Sequence, residues 1–515
     1  MNRSRLLRSP ALGSALVALL AVLVLLTLAQ LQDLDRLHVG GQTLGLNDQI
    51  GYITTARWFA DTGELRSHLI YPAYVDEPRW RLYMPGQYCV LAAAYKAFGD
   101  HPLTWRLPAL VSFVMASVGV FLIGRRIFSG AAGLVAAILF MLLPINGAYA
   151  FTAMPQLPFC AAGVLSFCAF CYLPERTRAF WVPLLLVPPF LFRETGALLV
   201  IPMAWLSMHP GRASRVGRLL ASVGGSMVLL AAVLAWQIHS GKGSLPLDVA
   251  LTEGFNYADA FSPAGAASLA ELLGALPSYA LRNLSTMLSS ATSRWMAFEP
   301  LIVMLLAAIL GLLHSPKKLA CAVMCLLVVA LSLVTFLYEW NAYRGTRTVL
   351  FVFPLCAVVA APVLLGWLES LRERVRFSYA RRLPHFLALL LGILWSSRGA
   401  QAMARGMGPA HGARTLEWLE KLPIDDSRLF VSPYEISLNY VHAHYPIRWS
   451  FVPANVRTLR LLDSTHEIGT LIIRSDQLDL PMAKAIRRLK FVPGQTFKFQ
   501  TAGQLREYLV FNRPD

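Results

Sequence analysis

Charged residues are scarce in this sequence. They account for 15% of its 515 residues, whereas 56% are hydrophobic, and the mean hydropathy is +0.52. A soluble protein of this length carries far more charge. The composition therefore excludes an ordinary soluble enzyme and indicates that most of the chain lies in a lipid bilayer.

Acidic residues are few even among the charged ones, and the formal net charge is +17. In a soluble protein this excess would suggest nucleic acid as a partner. Here the basic residues cluster between apolar segments, which is the positive-inside pattern of membrane proteins. We therefore expect no binding of nucleic acid. The clusters lie at 3–8, 125–126, 176–178, 212–218, 317–318 and 372–382.

Cysteines are also few. All seven lie within or beside apolar segments, and none falls in the polar C-terminal portion. The sequence therefore shows neither a disulfide framework nor a metal-binding knuckle. We predict small buried side chains at these positions and no metal site.

Long apolar segments dominate the first 400 residues. A membrane helix needs roughly 20 apolar residues, and this length predicts about eleven transmembrane helices. The first is longer than a signal-peptide core and lacks a cleavage site, so we expect it to be retained with its basic amino terminus in the cytoplasm. The predicted spans are 11–30, 104–124, 131–149, 155–173, 181–192, 195–208, 219–238, 296–313, 319–338, 348–368 and 383–400.

The loops between these spans alternate in charge. Every even-numbered span ends at a basic loop, which places those loops in the cytoplasm. The outer face then holds a long first loop at about 31–103, a second at about 239–295 and a short one at 338–348. It also holds the C-terminal portion, so we divide the chain into a transmembrane domain, 1–400, and an outer domain, 401–515.

The C-terminal portion has the alternation of a small α/β domain. RLFVSP, TLIIRS and FVPGQTFKF predict strands, and RTLEWLEKL and PMAKAIRRLK predict helices. The predicted fold class is thus a polytopic α-helical membrane protein with a small soluble α/β domain.

Asp48 is the first candidate functional residue. It lies in GLNDQIGYITTARWF, just beyond the first span, and Tyr52 follows one helical turn later. Ionisable groups at a membrane are costly and often mark functional sites. A helix-capping or surface acid would account for the same position.

Six patches in order along the chain carry a resemblance. They are NDQIGYITTARWFADTGEL, YMPGQY with FG and WRLPAL after it, GRRIFSGAAGLVAAILFMLLP, FTAMPQLPF, LFRETGALLVIP and AYRGTRTVLFVFP. Together they resemble the GT-C glycosyltransferases across about residues 11–370. The similarity is to the bacterial branch with aminoarabinose transferases, protein O-mannosyltransferases and lipopolysaccharide-modifying enzymes.

The resemblance implies transfer of a hexose or pentose from a polyprenyl-phosphate carrier to an acceptor hydroxyl at the outer face of the membrane. Asp48 matches the family's acid beside the acceptor, which implies a general base. One in-line displacement would invert the anomeric centre, since polyprenyl phosphate is already a competent leaving group. The substrate-binding residues implied are Tyr52, Tyr83, Tyr88, Arg193, Glu194, Tyr343, Arg344 and Arg347.

The arginines have two interpretations each. A guanidinium binds phosphate in a forked geometry, which suits a site for the leaving group. Arg344 and Arg347 equally fit anchoring to lipid headgroups. Arg193 also fits a buried ion pair with Glu194.

One position departs from the family. Relatives have an acid in the setting T-D-x-P, where FTAMPQLP has Ala153. The sequence therefore does not support a divalent metal, and no cofactor is predicted beyond the lipid-linked donor. Asp76, Glu77, Glu299 and Glu339 are the acids that remain as substitutes.

The predicted partners are the lipid-linked donor, a glycan, lipid or protein acceptor, and membrane lipids, in a bacterial inner membrane with the site facing the periplasm. Two other functions stay open. A non-catalytic protein that binds polyprenyl-linked sugar would tolerate Ala153. A flippase or transporter would be expected to show repeats or charges deep inside helices, and the sequence has neither.

Overall fold

The computed structural model describes residues 9–31, 47–65, 69–70, 84–208, 215–240, 308–311, 319, 321–323, 326, 350–374, 427–432, 449–452, 456–501 and 504–514. These residues form a bundle of apolar helices and a separate mixed sheet. The helices of the bundle are α1 (Pro10–Leu31), α2 (Asn47–Thr62), α3 (Gly86–Phe98), α4 (Pro102–Ile127), α5 (Gly130–Leu142), α6 (Pro144–Ala150), α7 (Gln156–Tyr172), α8 (Arg178–Phe192), α9 (Val200–Ser207), α10 (Arg215–Leu219), α11 (Gly225–Ser240) and α12 (Val352–Arg374).

Three helices of the described residues are long and apolar enough to cross a membrane. They contain the segments Pro10–Ala29, Leu103–Ile127 and Val352–Ser370. These coincide with three predicted spans. The predicted spans 296–313 and 319–338 are described only at a few helical residues, and 383–400 lies outside the described residues, so the number eleven stays a prediction.

Three predicted spans are not single helices, and one of them, at 219–238, contains the π-helix Leu220–Gly224 between α10 and α11. The span at 131–149 is divided into α5 and α6 at Leu143, whose backbone is extended. Leu143 precedes Pro144, and the proline ring disfavours helical geometry in the residue before it. The span at 195–208 begins as a 3-10 helix, Glu194–Leu199, before α9.

Close helix packing forms the centre of the bundle. α4 packs on α1, α5 and α7, and α12 packs on α5. At the crossing of α4 and α5 the two backbones touch, because a Cβ on Gly124 would lie 2.7 Å from the Cα of Gly133. Phe113 and Phe140 fill the same interface, with ring centroids 5.8 Å apart.

One end of the bundle is basic. Arg178 donates from Nε to the carbonyl of Leu173 (2.9 Å) and from Nη2 to that of Cys171 (3.2 Å), and Arg126 donates to Cys171 as well (3.4 Å). These arginines satisfy carbonyls at the C-terminus of α7, where a positive charge is favourable. This end carries two of the predicted cytoplasmic loops.

The opposite end of α4 holds the first outer loop. α4 has 26 residues and is therefore about 39 Å long. At its start, Asp100 pairs with Arg57 of α2 and accepts a hydrogen bond from Trp105 Nε1 (2.9 Å). Arg57 lies over the Trp105 ring, and Tyr95 of α3 stacks on that ring. α2 and α3 are thereby fixed against α4.

The sheet has six strands in the order β1-β3-β2-β4-β6-β5. β2, β4 and β5 lie on three predicted strands, while β1, β3, β6 and one helix, α13, were not predicted. The predicted helix RTLEWLEKL lies outside the described residues. The elements are β1 (Leu69–Ile70), β2 (Leu429–Ser432), β3 (Trp449–Phe451), α13 (Val456–His466), β4 (Ile468–Arg474), α14 (Leu480–Arg488), β5 (Val492–Thr501) and β6 (Gln504–Asn512).

β1 comes from the first outer loop rather than from the C-terminal portion. It pairs in parallel with β3, with Leu69 opposite Trp449. β2 is parallel to β3 and β4, whereas β6 is antiparallel to β4 and β5. The sheet therefore joins the loop after α2 to the C-terminal portion.

Candidate functional site

Asp48 lies in the first turn of α2. This agrees with the short helical segment that the sequence predicts just beyond the first span. Only the backbone of Asp48 is described, and its assignment as a base stays a prediction. An acid in the first turn also complements the helix dipole, so the capping interpretation suits the same position.

Tyr52 and Tyr88 are brought together. Tyr52 lies one turn along α2, Tyr88 lies in the first turn of α3, and their ring centroids are 5.2 Å apart at an angle of 37°. Both side chains are buried. The neighbouring Cys89 is exposed, which corrects the prediction of a small buried side chain there, and partial desolvation raises the pKa of its thiol.

Two glutamines hold the loop that contains Ala153. Gln49 Oε1 accepts a hydrogen bond from the Ala153 N–H (2.7 Å), and Gln87 Nε2 donates one to the Ala153 carbonyl (2.7 Å). Ala153 is itself buried, and a hydrogen bond from the Met154 N–H to the Thr152 hydroxyl (3.4 Å) tightens the loop. The departure from the family pattern thus lies at the junction of α2, α3 and this loop.

Sequence reasoning missed both glutamines. Each lies in a patch that carries the resemblance, directly after Asp48 in one case and directly before Tyr88 in the other. Their common partner is the backbone of Ala153, 104 and 66 residues away, which leaves no signal in the sequence.

Arg193 lies near the start of α3. It follows the last residue of α8, and a Cβ on Gly86 would lie 2.7 Å from the carbonyl oxygen of Leu191. Its Nε is buried without a hydrogen-bond partner, and in the part of the chain that the structure describes Arg193 forms no ion pair. Glu194 begins the following 3-10 helix, and only its backbone is described.

Buried amides surround the same loop. Gln156, the first residue of α7, is fully buried, and neither its amide nitrogen nor its oxygen has a partner among the described residues. The Oε1 atom of Gln87 is also buried without a hydrogen-bond partner among the described residues. An unpartnered buried amide costs about 1–3 kcal/mol. The neutral, polar character of this region contrasts with the acid that the family places there.

The remaining predicted residues are not placed. Tyr83, Tyr343, Arg344 and Arg347 lie outside the described residues, as do the substitute acids Asp76, Glu77, Glu299 and Glu339. Within the described ranges no group of three or more His, Cys, Asp or Glu side chains could hold a metal ion.

A family model matches the part of this site that follows α2, and Asp48, Gln49 and Tyr52 lie before the matched segment. Residues 82–239 match the model described as dolichyl-phosphate-mannose-protein mannosyltransferase. This match and the structural neighbours confirm the resemblance to the GT-C superfamily of glycosyltransferases. The helical bundle is a GT-C-like membrane fold. No curated protein matches the chain by sequence.

The neighbours come from two kinds of GT-C protein. ArnT from Cupriavidus metallidurans in the apo state superposes with a TM-score of 0.57 and 11% identity, over 95% of this chain and 97% of that one. ArnT bound to undecaprenyl phosphate gives 0.52 and 11%, over 96% and 97%. The archaeal oligosaccharyltransferase AglB from Archaeoglobus fulgidus, in complex with an inhibitory peptide and a dolichol-phosphate, gives 0.51 and 12%, over 96% and 74%.

Proposed function

We propose that this protein transfers a sugar from a polyprenyl-phosphate carrier to an acceptor hydroxyl at the outer face of a bacterial inner membrane. One observation carries the proposal. The turn of α2 that contains Asp48 meets the Ala153 loop and the start of α3, with Arg193 close by, at the end of a GT-C bundle opposite its basic end. A lipid-borne donor and a water-side acceptor can meet only at such an edge.

The lipid carrier is supported by the neighbours. An ArnT structure contains undecaprenyl phosphate, and an AglB structure contains a dolichol-phosphate and a peptide. By analogy, the donor here is a polyprenyl-phospho-hexose or polyprenyl-phospho-pentose. The acceptor is a glycan, a lipid or a protein in the periplasm.

In the proposed reaction, Asp48 takes the proton of the acceptor hydroxyl. The acceptor oxygen forms a bond to the anomeric carbon as the bond from that carbon to the phosphate oxygen breaks. The phosphate leaves with the bonding electrons, and the configuration inverts. Arg193 has a buried, unpartnered Nε and is the cation we assign to the phosphate, together with Arg344 and Arg347. No separate acid and no metal ion are needed.

A non-catalytic protein that binds polyprenyl-linked sugar is the second candidate. The observation that favours it is Ala153, which removes one acid of the family pattern. Such a protein would bind undecaprenyl phosphate but would transfer nothing. Retention of Asp48 and of the Tyr52–Tyr88 pair favours the enzyme.

The test is complementation of a gene deletion. We expect mass spectrometry of envelope glycans to show a sugar that is lost in the deletion strain, restored by the wild type and not restored by Asp48→Asn at equal membrane abundance. Asp61→Asn is the matched control, because Asp61 is an exposed acid of the same helix. Full restoration by Asp48→Asn would remove the base from the mechanism. An unchanged glycan profile in the deletion strain would favour the binding protein.

A further inference from the structure

The backbone of Ala153 is held on both sides of its Cα. Its N–H donates to Gln49 Oε1 and its carbonyl accepts from Gln87 Nε2, each at 2.7 Å. A peptide N–H can only donate and a peptide carbonyl can only accept, so these partners fix which way each glutamine amide points. We call Gln49, Ala153 and Gln87 the amide clamp.

Two of the three residues of the amide clamp are buried, and Gln49 is half-buried. Gln87 is 1% exposed and Ala153 is 2% exposed. The bond from Gln87 therefore does not compete with water, and losing either bond leaves a backbone group of the buried Ala153 unsatisfied. The clamp is therefore a rigid connection between the first turn of α2, the start of α3 and the loop before α7.

This connection determines where the first turn of α2 lies. α2 is fixed at its middle by the ion pair of Arg57 with Asp100 and at its beginning by Gln49. Among the described side chains of the first turn, Gln49 is the one that bonds to another element. Helix ends fray unless their groups are tied to something else. Asp48 directly precedes Gln49 in that turn.

We propose that Gln49 and Gln87 are positioning residues, which hold Asp48 in place through the backbone of Ala153. The inference rests on the proposed function, in which Asp48 is the base. The backbone of Ala153, and not its methyl side chain, then ties the loop to α2. A base that moves by about 1 Å loses roughly 100-fold in rate.

The two positions have opposite chemical requirements. Position 49 needs an acceptor, which a glutamate supplies, whereas position 87 needs a donor, which a glutamate supplies only when it is protonated. Methionine has a similar volume and supplies neither strong group. We therefore expect Gln49→Glu to keep transfer, and Gln49→Met and Gln87→Met to lose about 10- to 100-fold.

The two glutamate variants also differ in the direction of their pH dependence. In Gln49→Glu a second carboxylate beside Asp48 raises the pKa of the base, so activity falls at the acidic end of the profile and approaches the wild type at higher pH. In Gln87→Glu the protonated form regains the donor, so activity relative to Gln87→Met rises as the pH falls. A role in packing alone gives both variants the same trend.

The experiment uses spheroplasts of the deletion strain, in which the outer face of the membrane meets the medium. The initial rate of sugar addition is measured between pH 5.5 and 8.5 by mass spectrometry of the glycan that the wild type restores. Binding of undecaprenyl phosphate and thermal unfolding are measured on the purified proteins. Lys96→Gln is the control, since Lys96 is an exposed residue of α3.

We expect opposite pH trends for the two glutamate variants, with undecaprenyl phosphate binding unchanged. Parallel trends, or wild-type rates in both methionine variants, overturn the inference and leave the proposed function intact. A wild type that binds no undecaprenyl phosphate and restores no glycan overturns the proposed function itself.

Discussion

Two buried amides near the Ala153 loop differ in how they are paired. Gln156 has no partner at either amide atom among the described residues, whereas Asn146 donates from Nδ2 to the Phe140 carbonyl at 2.7 Å. Both side chains are fully buried. A hydrogen bond offsets the cost of burying the Asn146 amide in part, and nothing described offsets that of Gln156.

This difference predicts opposite effects on stability. Gln156→Leu removes an unpartnered amide at similar volume, and we expect the free energy of unfolding to rise by roughly 1–3 kcal/mol. Asn146→Leu removes a bonded amide and one of the two hydrogen bonds that the Phe140 carbonyl accepts, so the free energy of unfolding should fall. The melting temperatures of the two purified variants measure both. Equal destabilisation would mean that the Gln156 amide is satisfied in the folded protein.

At the same scale, the sequence indicated part of the candidate site. Tyr52 and Tyr88 were assigned to one site by the resemblance, and their rings pack together in the structure. Gln49 and Gln87 were missed because both bind the backbone of another residue, and every residue except proline has the same backbone donor and acceptor. The identity of residue 153 therefore gave no sign of the contact.

At the scale of secondary-structure elements, the contact of α4 with α5 depends on glycine. A Cβ on Gly133 would lie 2.5 Å from the carbonyl oxygen of Phe121 and 2.8 Å from the amide nitrogen of Arg125. Both neighbours are backbone atoms, which cannot turn away as a side chain can. Small residues allow this close approach of two helices within a membrane.

We expect Gly133→Ala to force α4 and α5 apart and to reduce the free energy of unfolding by about 1–3 kcal/mol. Gly366→Ala is the matched control, since Gly366 lies in α12 and a Cβ added there would have no atom within 4 Å. Folded yield by detergent size-exclusion chromatography and the melting temperature measure the effect. Equal behaviour of the two variants would contradict the close packing of α4 with α5.

At the scale of the whole molecule, the arginines that cap α7 and the candidate site lie at opposite ends of the helix bundle. Arg126 and Arg178 cap α7 at one end, while the amide clamp and the Arg57–Asp100 pair lie at the other. Basic residues remain on the cytoplasmic side during membrane insertion. This arrangement agrees with the orientation that the alternating loops predict.

Single cysteines report that orientation. In a background without the native cysteines, Ser464→Cys in the exposed face of α13 should react with an impermeant maleimide in intact spheroplasts. Glu175→Cys, between α7 and α8, should react only after the membrane is permeabilised. Both positions are exposed in the structure, so accessibility depends on the side of the membrane. Labelling of Glu175→Cys in intact spheroplasts would reverse the predicted topology.

The sequence by itself determined the membrane class and the positions of most described helices. Apolar length and charge alternation are local properties, and they are visible without knowledge of any contact. The same local signals predicted β2, β4 and β5. They failed at Leu143, where the restriction imposed by Pro144 outweighs a continuous apolar run.

Tertiary structure decided which remote segments meet. It placed Gln49, Gln87 and Ala153 in one cluster, and it joined β1 of the first outer loop to β3 near the C-terminus. The β1–β3 contact joins two backbones, and the two glutamine side chains bind the backbone of Ala153. Backbone groups are the same in nearly every residue, so the sequence does not show which of them a remote segment meets. The path of the whole chain brings them within hydrogen-bonding distance.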